Sequence, residues 1–321
     1  MYEQFYGLRE RAFDLTPNPR FLLLTPTHEE ALSTLEYGVT SGQGITVLIG
    51  EAGTGKTTVL RRALIMRLQS KGPRVMSVYL NNPTLTREEF LQFLALRFEL
   101  GSDAATSKVR LLAQLEDALR QRRQAGEVPV LVVDEAQSLP RELLEEIRLL
   151  SNLETDTEKS LPIVMAGQPE LAMRLNSPEL RQLKQRIALR CTLKPLSLRE
   201  TAAYVAGRVR LAGGNAGWLF ARDAIIAIFE YSQGVPRTIS VICDNALLNG
   251  FALQHHPVDA GLIADVCRDF DLERIPLPAR GVQPPAAADT TSSFPIRQFI
   301  PSIRPWPETG GRFAKRAVES Q

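Results

Sequence analysis

Gly50-Glu51-Ala52-Gly53-Thr54-Gly55-Lys56-Thr57 fits the pattern G-x-x-x-x-G-K-[ST]. The glycines let a loop turn tightly and aim its N–H groups inward, and a helix that follows adds its positive end. Such a loop is a phosphate cradle. In it Lys56 meets the β- and γ-phosphates, Thr57 sets its hydroxyl on Mg²⁺ and Thr58 neighbours the α-phosphate. Water activation needs an acid as well, and Val130-Leu131-Val132-Val133-Asp134-Glu135 supplies an apolar strand that ends in two. Asp134 at the strand end reaches the Mg²⁺ shell, and Glu135 projects toward the γ-phosphate as general base. A nucleoside triphosphate and Mg²⁺ are the expected ligands.

These residues need a frame. From Val39 to about Leu196, short β-rich runs (Ile45 to Ile49, Val75 to Leu80, Val128 to Val133, Leu161 to Ala166) alternate with helical patterns at Thr58 to Leu68, Glu88 to Leu100, Val109 to Arg123 and Arg141 to Leu153. That alternation is the sequence form of a parallel sheet with crossover helices. After Pro195 only helical patterns remain: Leu198 to Ala212, Arg222 to Ser232, Pro236 to Gln254 and Val258 to Asp269. An α/β unit followed by a small all-α lid is the layout of AAA+ ATPases. The expected fold is therefore a three-layer αβα P-loop sheet with a helical lid. Four regions are expected: an N-terminal segment 1–38 packing on the ATPase core, the α/β domain 39–196, the lid 197–272 and a proline-rich, disordered tail 273–321. Within the tail, Phe294 to Pro301 and Arg304-Pro305-Trp306-Pro307 combine aromatic and basic residues as a docking peptide would.

Three further positions bear on the chemistry. Gln168, at the end of the strand that runs into Gly167-Gln168-Pro169, is placed to hydrogen-bond the γ-phosphate or the attacking water, unless it only caps the next helix. Arg186, in the basic stretch Leu180 to Ile187, would enter the site of a neighbouring subunit and stabilise charge on the transferred phosphoryl group. Arg181 and Lys184 compete for that role. Arg237, just after a helix-starting Pro236, would return over the nucleotide and couple lid angle to nucleotide state, with a structural ion pair as its alternative.

Taken together the residues resemble the ExeA-type ATPases of the general secretion pathway, within the AAA+ superfamily, from Met1 to about Phe270. The matching pieces are Phe5-Tyr6-Gly7-Leu8, Phe13 to Phe21, His28 with Tyr37-Gly38, the cradle, Asp134-Glu135-Ala136-Gln137, Gly167 to Leu171, Gln185-Arg186-Ile187, Pro195-Leu196 and Gly234-Val235-Pro236-Arg237. The resemblance implies ATP rather than GTP, a homo-oligomer, a secretion or envelope component as protein partner, and Pro17 to Phe21 near the adenine, where Phe13 and Phe21 also suit an ordinary core. Secretion members continue through a membrane span into a periplasmic peptidoglycan-binding part. Here a proline-rich stretch follows the lid, so direct envelope anchoring is not expected. The core also resembles transposition-regulator ATPases of the TniB and MuB kind, which polymerise on duplex DNA and recruit a transposase. For that alternative, Arg61, Arg62 and Arg67, or Arg120, Arg122 and Arg123, would face phosphates. An ATP-switched binding module with slow hydrolysis would need the same pocket.

Composition sets the outer bounds. With 321 residues, 44% of them hydrophobic, the chain can hold about two domains. A net charge of +2 argues against a surface wholly devoted to nucleic acid. Cys191, Cys243 and Cys267 lack metal or disulfide spacing. Neither a secretory leader nor an apolar run of about 18 residues is present in the sequence, and a cytoplasmic setting is expected.

Overall fold

The computed structural model describes residues 2–15, 21, 23–42, 44–64, 74–81, 84–153, 161–277 and 304–305. A two-residue strand, Leu23–Leu24 (β1), is followed by five parallel strands: Ile45–Gly50 (β2), Arg74–Leu80 (β3), Glu127–Val133 (β4), Ile163–Gly167 (β5) and Ile187–Leu193 (β6). Their order across the sheet is β3-β4-β5-β2-β6. The chain thus leaves β2 for the far edge, and the C-terminal ends of β2 and β4 face a common crevice with β5 between them. In open α/β sheets that crevice is where ligands bind.

Side-chain alternation explains why both faces are covered. In β4, Leu131 and Val133 enter one core with the helices Arg87–Arg97, Lys108–Gln124 and Arg141–Leu150. Val130 and Val132 enter the other, with Leu32 and Leu35 of the helix Pro26–Thr40 and with Val59 and Leu60. Strand residues two apart share a face, so near-continuous apolar runs feed two layers at once. Local signals start the helices: Thr86 with Glu89 and Ser197 with Glu200 form complete capping boxes, each satisfying N–H groups that have no helical partner. Buried Glu146 joins three helices by accepting from Arg87 Nε at 2.6 Å and Lys108 Nζ at 2.9 Å.

The lid comprises Leu198–Leu211, Ala216–Leu219, Arg222–Ser232, Pro236–Ala252 and Ala260–Asp269. One parallel bridge, Phe220 to Val258, lies among its helices. The stretch 1–38, expected on the ATPase core, divides between two places. Tyr2, Tyr6, Leu8 and Phe13 are buried with Val205, Val209, Ile228 and Ile239 of the lid, whereas Leu24 to Val39 pack on the sheet. Phe5 and Phe251 meet edge to face, with ring centroids 5.5 Å apart. Apolar area decides the split, because aromatic rings at the N-terminus find their complement in the lid.

Three other expectations change. The helix read over Thr58 to Leu68 is α-helical at Lys56–Thr58 and then a wider π-turn at Val59–Leu64, and residues 65–68 lie outside the described residues. A fifth strand, β6, follows the basic stretch directly. Arg304–Pro305 (β7) pairs antiparallel with β1, while residues 278–303 and 306–321, including the aromatic segment from Phe294, lie outside the described residues. Among the described residues no helix is long and apolar enough to cross a membrane.

Candidate functional site

The cradle leaves the end of β2 and is strained where glycine relieves it. Gly53 and Gly55 have φ of +79° and +98°, a region that L side chains rarely adopt. A Cβ on Gly53 would stand 2.9 Å from Val235 and 3.0 Å from Arg237 Cβ, so the lid closes directly on the loop. Arg237 N–H donates to the Gly53 carbonyl at 3.2 Å. His28, almost fully buried, braces the loop from below. Its Nδ1 lies 2.7 Å from Thr25 Oγ1, and burial lowers its pKa against an opposing hydrogen bond with the Thr54 backbone.

Lys56 Nζ donates to the carbonyls of Gly50 at 2.8 Å and Glu51 at 3.0 Å. Burial pushes its pKa down, and the carboxylates of Glu135, Asp134, Glu51 and Glu170 push it back up. Thr57 Oγ1 donates to Asp134 Oδ2 at 2.6 Å, which joins the two sequence motifs across the crevice. Tyr79, which no sequence motif marks, donates its hydroxyl to the same Oδ2 at 2.7 Å. Burial and then the Asp134 hydrogen bond drive the Tyr79 pKa up. A hydroxyl and a carboxylate oxygen in contact are hard donors of the kind Mg²⁺ takes beside nucleotide phosphates. The donor set therefore fits the expected ion, and the glycine cradle fits a phosphate chain.

Glu135 sits at φ +52°, a conformation uncommon for a non-glycine residue and typical of functional loops. Its Oε2 accepts from Gln137 Nε2 at 2.6 Å and Gln168 Nε2 at 3.3 Å. Gln137 Oε1 in turn accepts from the Gln168 backbone N–H at 3.1 Å. Arg174 holds the Gln137 carbonyl. Gln168 thus reaches the site through Glu135, and Gln137, quoted in the resemblance without a role, is the bridge between them.

Thr54 to Thr57, Glu135 and Arg237 line one cavity of about 420 Å³ together with Leu15, Phe21, Leu23, Tyr204 and Arg208. Phe21 serves both as core and as wall; residues 17–20, expected near the adenine, lie outside the described residues. Arg208 is buried and holds the N-terminal segment in place. Its guanidinium donates to the carbonyls of Ala12 at 2.7 Å and Asp14 at 3.0 Å and to Tyr204 Oη at 2.8 Å. Nothing in its local sequence marked it, since the Ala12 and Asp14 carbonyls that it holds lie almost two hundred residues away.

Arg186 does not line this cavity. It is exposed at the start of β6, and its carbonyl accepts from Ile45 N–H at 3.3 Å. Arg181 and Lys184 are exposed nearby. Of the arginines expected to face phosphate, Arg120 pairs with Asp117 in an exposed contact and Arg122 with Glu99 and Glu127. Arg67 lies outside the described residues, as does the side chain of Arg62.

A family model described as "AAA domain" matches residues 39–175. General secretion pathway protein A of Aeromonas hydrophila is 42% identical over 264 residues, which is 82% of this chain and 47% of that protein. The chain therefore spans about half the length of that relative. Among solved structures, the Aeropyrum pernix ORC2 protein in ADPNP-ADP complexes superposes with a TM-score of 0.58 at 17% identity, over 81% of this chain and 71% of that one. CDC6P from Pyrobaculum aerophilum gives 0.56 at 19% identity, over 76% and 66%. At such identities the likeness is one of fold.

Proposed function

This chain is an AAA ATPase relative of General secretion pathway protein A, and from that premise we propose that it binds ATP with Mg²⁺ and hydrolyses it to drive assembly or recruitment of a partner complex. The observation that carries the reading is the 2.6 Å contact between Thr57 and Asp134, with Lys56 and Glu135 on the same cavity. Bound Mg²⁺ would supply charge neutralisation between the phosphates and a fixed orientation. Thr57 and Asp134 would hold it. Lys56 releases the loop carbonyls and turns to the phosphates, while the N–H groups of Gly53 to Thr58 surround them. Glu135 takes the proton of a water held at its carboxylate, and Gln168 and Gln137 fix that carboxylate. Arg237 closes over the loop from the lid. Arg186 is proposed to act on a neighbouring copy, so the working unit is a homo-oligomer. The partner is proposed to be a secretion or envelope component, met from the cytoplasmic side.

Glu135→Gln is expected to bind ATP normally and to lose roughly 100-fold or more in turnover. Lys56→Ala is expected to lose ATP binding. Unchanged turnover in the first variant would remove the general base, and normal ATP affinity in the second would remove the cradle.

One observation favours a second reading, an ATP-switched binding module with slow hydrolysis. Both amides engage the same oxygen of Glu135, and in this reading they hold the carboxylate out of line with the attacking water until a partner moves them.

A further inference from the structure

A second cavity, of about 510 Å³, opens at the sheet edge and is lined by Arg61, Ser77, Tyr79, Asn81, Phe93 and Arg97. β3 is an edge strand, and the period of two puts Ser77, Tyr79 and Asn81 on one face at and just past its end. Arg61 comes from the π-turn behind the cradle, and Arg97 ends the helix Arg87–Arg97. Both are exposed.

The charge lining this groove is of one sign. Arg74, Arg87 and Arg122 each meet a carboxylate, whereas among the described residues Arg61 and Arg97 meet none and no acid lines the groove. Two guanidinium forks, a hydroxyl and an amide form a donor set for phosphate oxygens. Phe93 and Tyr79 give the groove flat apolar walls.

The groove is also wired to the metal-binding carboxylate. The Arg61 guanidinium stands 4.4 Å over the Tyr79 ring. That hydroxyl and Thr57 share Asp134 Oδ2.

We propose that this groove binds phosphate-ester anions, and that a ligand drawing Arg61 off Tyr79 alters how firmly Tyr79 holds Asp134 and hence the rate of ATP turnover. The second half rests on the ATPase reading; the first does not. Two sources offer the same phosphate chemistry, a nucleic-acid strand and a small soluble phosphate.

Binding is measured on the full chain without nucleotide, using the anisotropy of a short labelled single-stranded oligonucleotide and calorimetry with pyrophosphate. Arg97→Glu and Asn81→Ala serve as variants. The expected result is salt-dependent binding that falls about tenfold or more in Arg97→Glu. Tight oligonucleotide binding that pyrophosphate does not displace identifies a strand as the ligand, and pyrophosphate binding that persists in Lys56→Ala, whose cradle no longer holds phosphate, and falls in Arg97→Glu identifies a small anion. Both support the site. Equal affinity in Arg97→Glu and the native chain would overturn it. So would the absence of any phosphate ligand together with self-association that Arg97→Glu abolishes, which would assign the groove to the acids of a second copy. For the link, the bound ligand is expected to change ATP turnover in the native chain and not in Arg97→Glu, whose basal rate stays native. A response that survives Arg97→Glu overturns the link and leaves the ATPase reading intact.

Discussion

Glu135 depends on its neighbours for direction, because a carboxylate on a loop at positive φ has no strand or helix to fix it. Gln137 supplies that direction by bridging Glu135 and the Gln168 backbone. Gln137→Ala is expected to lower kcat about tenfold with KM unchanged; a rise in kcat, read in the same steady-state assay, would favour the switched module instead. Arg208 makes a different kind of contribution, holding the Ala12 and Asp14 carbonyls beside the cavity. Its replacement by Met leaves buried acceptors unmatched and is expected to cost about 1–3 kcal/mol in denaturant unfolding, with weaker ATP binding. His28 sets a pH dependence. Its folded pKa lies below the ordinary value near 6.5, so the unfolded chain takes up the proton first. The stability it confers is present above about pH 6.5 and is lost as pH falls toward the folded value. Thermal unfolding between pH 5 and 7 is expected to be less steep with pH in His28→Gln.

At the scale of elements, the turn between two lid helices positions the site as much as the cradle does. Gly234 has φ +75°, and a Cβ there would come within 1.9 Å of the Leu196 carbonyl oxygen. Gly234→Ala is expected to destabilise by about 1–3 kcal/mol and to weaken ATP binding by displacing Arg237, as measured by thermal melts with and without nucleotide. Elements built on local pattern were legible in the sequence: the apolar runs of β2, β4 and β5, and the lid helices with their caps. β6 was missed because it is an edge strand. Its residues alternate between half-buried and exposed until Leu193, and the polar Arg190 and Thr192 blur the apolar run that marks inner strands. The π-turn after the cradle leaves no periodic mark either, since six residues hold barely one turn. The same limit applies within the site. Gly50 to Thr58 and Asp134-Glu135 are contiguous motifs, whereas Tyr79, Gln137 and Arg208 join the site only through the order of strands and the folding back of the lid.

Across the whole molecule, the N-terminal aromatics pack with the lid while the following helix packs on the sheet. Any change of lid angle therefore pulls on the segment that carries Asp14 and Leu15 of the cavity wall. Arg186 stands exposed, outside the cavity of its own chain, as a residue that completes a neighbour's site would. The central claim, that ATP turnover needs residues from two copies, is tested most directly by mixing Arg186→Ala with Glu135→Gln. Each variant alone is expected to be nearly inactive. Mixed, they form some interfaces that hold an intact Glu135 from one copy and an intact Arg186 from the other, so turnover is expected to reappear. Native turnover by Arg186→Ala alone, or a mixture no more active than its parts, would contradict the account.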